Sequence, residues 1–113
     1  MHWTEIDWKR INPIHDDLLA KVRDENGRAW KEASGELHSH YKEMPFWIVL
    51  HEDGDVRQAH AVFREIVHPA LSLIEPVQCT VSFEVVKDGR RRHYFLENNA
   101  EILNGNEWLY RDE

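Results

Sequence analysis

From Val77 to Val85 every second residue is apolar, the chain then meets Asp88-Gly89, and the alternation resumes at Tyr94 and Leu96. A period of two over this length is that of a half-buried strand. Asp-Gly supplies the positive φ that both central residues of a type I′ turn require. The segment therefore reads as an antiparallel hairpin, and the turn fixes its register. Lys87 faces Arg90, Val85 faces Arg92, Glu84 faces His93, Phe83 faces Tyr94, Ser82 faces Phe95 and Val81 faces Leu96. One face is then apolar apart from Arg92, and the other is polar apart from Val86 and Phe95. Val81, Phe83, Tyr94 and Leu96 are expected in the core. A lone hairpin is marginal in water, so the rest of the chain must cover or extend it.

Upstream, Phe46-Trp47-Ile48-Val49-Leu50 is an uninterrupted β-branched and aromatic run behind Pro45, which reads as a central strand covered on both faces. Asp55 follows as a helix N-cap, with Gln58 three residues on. Ala59, Val62, Phe63, Ile66, Ala70 and Leu73 then predict one buried helix face. Pro69 should split that helix after Val67, and Glu75-Pro76 should end it.

Nearer the start, Asn12-Pro13 has the form of a helix N-terminus, with Ile14, Leu18 and Val22 as its apolar stripe and Asn26-Gly27 as its end. Trp30, Ala33, Leu37 and Tyr41 lie at helical spacing and favour a second helix over 28–42. Against a helix, Ser34-Gly35 reads as a turn and the alternation from Leu37 to Tyr41 as a half-buried strand. Past the hairpin, Ala100 to Leu103 and Glu107 to Tyr110 read as a last hairpin around Asn104-Gly105-Asn106.

The expected fold class is α+β: an N-terminal helix or two, then strand, helix and antiparallel meander, with the helices on one face of the sheet. At 113 residues the chain is one domain, residues 1–113. Single Cys79 rules out an intrachain disulfide and multi-cysteine zinc. The opening residues have neither a basic region nor an apolar stretch of the signal-peptide kind, and no run reaches the length of a membrane span. A cytoplasmic protein with no membrane contact is the expectation. A formal net charge of −7 repels phosphate backbones, which disfavours nucleic acid as a partner.

Eight histidines raise the question of a metal or an acid-base centre. His51-Glu52 lacks the second His of a zincin helix. His60 and His68 share one side of their helix with Arg64 between them, and a cation there opposes a divalent metal; both are expected at the surface. His38 and His40 would share a face only on a strand, and spacing supplies no third ligand. Asp53-Gly54-Asp55 is explained by turn and cap rather than by a cation loop. Cys79 points inward and reads as core. Glu84 and His93 form a cross-strand pair, ordinarily an exposed ion pair and alternatively an oriented base. Arg90-Arg91-Arg92 should send alternate side chains to opposite faces, which weakens it as a phosphate grip.

No catalytic residue, metal site or cofactor is expected. The favoured reading is a non-enzymatic, acidic protein-binding module of inhibitor, immunity or adaptor type, with a basic macromolecular partner. Homodimerisation is left open. Aromatics among acidic residues resemble interface hot spots, and Glu101, Glu107, Trp108, Tyr110 and Asp112 form the expected partner-binding surface. The alternative is a small enzyme or ligand-binding protein with a pocket lined by His51, Glu84 and His93.

Overall fold

A computed structural model of the protein describes residues 8–75, 77–96 and 109–112, with residues 95, 96 and 109–112 described by backbone alone. The chain runs α1 (Trp8–Arg23), β1 (Glu32–Gly35), β2 (Glu43–Val49), α2 (Val56–Val67), a 3₁₀ turn (His68–Ala70), α3 (Leu71–Ile74), β3 (Gln78–Lys87), β4 (Arg90–Leu96) and β5 (Leu109–Asp112). The strands form one mixed sheet in the order β1-β2-β3-β4-β5. The class is α+β, as the patterning predicts. β3 and β4 pair in the register set by the turn, from Lys87 with Arg90 to Val81 with Leu96. Asp88 and Gly89 both have positive φ, 53° and 74°.

The meander is antiparallel only from β3 to β5. β2 and β3 are parallel, with Phe46 beside Val81 and Ile48 beside Phe83. The crossover through α2 and α3 returns the chain to the same end of the sheet before β3 begins, as a parallel pair requires.

Residues 28–42 are not a helix, and the strand they hold is Glu32–Gly35, which runs through the expected Ser34-Gly35 turn, while 39–42 turn the chain into β2. β1 pairs antiparallel with β2, and His38 bridges to Glu43 beyond it. Two local features oppose the helical spacing. Gly35 lowers helix propensity by about 1 kcal/mol relative to alanine, and its bare Cα lies so near the Phe46 ring that a Cβ would meet Cδ1 at 2.8 Å. Unpaired backbone along β2 supplies the driving force for strand. Arg23 donates from Nε to the outward carbonyl of Ala33 at 3.3 Å, partly blocking the free edge of β1.

α1 begins upstream of the expected cap and carries Pro13 inside it. The ring lies on the exposed side and forfeits one helical hydrogen bond. Burial of Ile11 and partial burial of Trp8 against the core offset that loss. α2 starts as expected, with Asp55 accepting from Arg57 N at 2.9 Å and Gln58 N at 3.4 Å, and Pro69 ends it at Val67. Its buried face is rotated from the expected one, to Ala59, His60, Phe63 and Val67, and Leu73 of α3 is exposed. Phe63 meets Phe46 and Phe83 edge to face, with centroids 5.3 and 6.2 Å apart. His15 of α1 lies 5.8 Å from Phe46 on the same side. Both long helices thus cover the face of Met44, Phe46, Ile48, Cys79, Val81 and Phe83, all buried.

Candidate functional site

Because side chains alternate across a strand, the opposite face of the sheet carries Pro45, Trp47 and Val49 on β2, Thr80, Ser82, Glu84 and Val86 on β3, and Arg91 and His93 on β4. None of the described helices packs on it. Among the described residues β2 is therefore covered on one side, not two, and Trp47 in its middle is 40% exposed. Pro45 belongs to the strand instead of preceding it; its carbonyl accepts from Glu36 N at 3.1 Å, just where β1 pairing ends. His38 stacks obliquely on Trp47, centroids 6.5 Å apart, and its Nε2 lies 2.5 Å from Glu36 Oε2. Glu32 and Glu43 belong to the same side by register. The β1–β2 half of the face is therefore an exposed indole among carboxylates.

At the β4 side, one Glu84 oxygen lies 3.0 Å from Arg91 Nε and the other 3.3 Å from His93 Nε2. Both oxygens are committed to cross-strand partners, so the carboxylate ties β3 to β4. Ser82 pairs with Phe95 in the ladder, one step from His93.

A second feature lies on the helix side, past the end of β2 at Val49, where β3 runs on to Lys87. The β2–α2 loop and the β3–β4 turn enclose a crevice of about 490 Å³ lined by Glu52, Asp53, Val56, Val85, Lys87, Arg90, Arg92 and Tyr94, among others. Its place at the carboxyl ends of parallel strands is the usual one for ligands in α/β sheets. Gly54 packs the loop tightly, since a Cβ there would stand 2.9 Å from the His51 carbonyl. The arginine triplet divides as alternation requires: Arg90 and Arg92 line the crevice, and Arg91 joins Glu84 on the other face.

His51 lines a smaller depression, of about 230 Å³, with Arg28, Asp53 and Gln58. It lies on the helix side, so the structure joins Glu84 to His93 and leaves His51 apart. The buried histidines are others. His60, expected at the surface, is 4% exposed, and His15 is 7% exposed. Burial pushes His60 down to about 4, with Arg64 adding to the shift. His15 is also lowered by burial, against the opposing pull of Asp16, and its Nε2 has no hydrogen-bond partner among the described residues. Cys79 is fully buried and its thiol is pushed far up by desolvation. His38 turns to Trp47 while His40 turns to Tyr41. Among the described residues no group of three or more His, Cys, Asp or Glu could hold a metal ion, and no helix is long and apolar enough to cross a membrane.

Of the expected partner surface, Glu101, Glu107 and Trp108 lie outside the described residues, as does most of the last hairpin. Tyr110 and Asp112 belong to β5, where the register sets them opposite Tyr94 and Arg92. Trp47 was not among the expected residues because an all-apolar run hides its own alternation. Ser82 and Glu84 carried the missing signal: laid beside β2, their polar parity marks Trp47 as lying on the polar face.

No family model matches the chain, and searches of curated proteins and of solved structures likewise find no match.

Proposed function

We propose that the chain is an acidic, non-enzymatic protein-binding module of inhibitor, immunity or adaptor type that receives a basic macromolecular partner on the uncovered sheet face. The observation that carries this reading is Trp47, exposed at the centre of a sheet face with Glu32, Glu36 and Glu43 nearby. Tryptophan concentrates binding energy because it removes a large apolar area from water while its N–H remains able to pair. The surrounding carboxylates, with a net charge of −7, would speed encounter with a positive surface and discriminate against acidic ones.

The test begins with a partner captured on the tagged protein from its native cell. Reversal of Glu36 and Glu43 to lysine should weaken that complex and flatten its salt dependence, while melting temperature stays near the parent value. Reversal of Glu101, Glu107 and Asp112 forms the comparison arm. Loss of binding confined to that arm would move the interface to the chain end and overturn the assignment to the sheet face.

A further inference from the structure

The crevice at the ends of β2 and β3 has two walls of opposite charge. Glu52 and Asp53 stand on the β2–α2 loop, and Lys87 and Arg90 stand on the β3–β4 hairpin. Lys87, Arg90 and Arg92 share one side of the hairpin with Val85 and Tyr94, because positions 85 and 87 and positions 90, 92 and 94 have the same strand parity. Among the described residues, Glu52, Asp53, Lys87 and Arg90 have no ion-pair partner, so the two walls face each other without joining. Between them lie the apolar groups of Val56, Val85 and Tyr94. The volume of about 490 Å³ falls in the range of small-ligand sites.

We propose that this crevice binds a small zwitterion of the amino-acid class with an apolar or aromatic side chain. Its ammonium group is held by Glu52 and Asp53, its carboxylate by Lys87 and Arg90, and its side chain rests on Val85 and Tyr94. The charge pattern selects this class over a simple anion, which the carboxylate wall repels, and over a simple cation, which the hairpin wall repels. The site is on the opposite side of the sheet from Trp47 and shares no residue with the proposed partner surface.

The test is calorimetric titration of the full chain with free phenylalanine and leucine, alongside N-acetylphenylalanine and phenylalanine amide, each lacking one charge. Saturable binding of the free amino acids is expected, with both single-charge analogues at least about tenfold weaker, the cost of losing one charge-assisted contact. Arg90→Ala should reduce affinity for the free amino acid while leaving the amide, which has no carboxylate, unchanged. Glu52→Gln should give the converse with the N-acetyl compound. No saturable response up to about 10 mM, or analogues that bind as well as the zwitterion, would overturn the proposal. Retained affinity for the captured protein partner in Arg90→Ala keeps this outcome separate from that of the sheet face.

Discussion

Substitution of His60 by phenylalanine should remove a large part of the protein's acid sensitivity. In the fold, His60 is held neutral at about 4, against an ordinary value of 6.5, because burial beside Phe83 disfavours the imidazolium and Arg64 adds to the penalty. The unfolded chain therefore takes up a proton that the folded chain refuses. Stability attributable to this group is complete above pH 6.5 and drains away as pH falls towards 4. At about 1.4 kcal/mol per unit, the full effect is about 3.5 kcal/mol, and roughly 2 kcal/mol of it is gone near pH 5. That is a large share of a stability that is typically about 5–15 kcal/mol for a domain. Urea unfolding of the parent and of His60→Phe between about pH 7.5 and pH 5 measures it directly as the difference in pH dependence. His15 acts in the same direction, so the variant should keep a smaller residual slope. Equal pH dependence in parent and variant would show that His60 takes up its proton in the fold as readily as in the unfolded chain, and would refute the burial penalty.

Gly35→Ala places a Cβ within 2.8 Å of the Phe46 ring and should cost about 1–3 kcal/mol, read as a lower urea midpoint with unchanged slope. Asp55→Ala removes the acceptor for Arg57 N and Gln58 N and should cost about 1 kcal/mol, with amide exchange faster in the first turn of α2 than elsewhere. Cys79 should resist a thiol reagent under native conditions and react at once in denaturant, because its sulfur is buried and its thiolate strongly disfavoured.

The hairpin was legible in full, because a two-residue turn and a period of two leave one register open, and the ladder from Lys87–Arg90 to Val81–Leu96 is the one they imply. The N-cap at Asp55 and the break at Pro69 were equally plain, since each rests on a local rule that no distant contact alters. Elements decided by partners far along the chain were not. Residues 28–42 satisfy a helical spacing, yet the free backbone of β2 and the close approach of Gly35 to Phe46 draw Glu32–Gly35 into a strand. His60 lay at the edge of a helical stripe, and only the position of Phe83 rotates that stripe far enough to bury it. The candidate site suffered most, because Trp47 looks like core until β3 is placed beside it.

Affinity of the captured partner for Trp47→Ala, set against the parent and accompanied by melting curves of both, bears most directly on the uncovered sheet face as the working surface. A loss of about 2 kcal/mol, some thirtyfold in affinity, with a melting temperature close to the parent's, is the expected result for an anchor residue that is 40% exposed in the free protein. Undiminished affinity in a folded Trp47→Ala variant would contradict it.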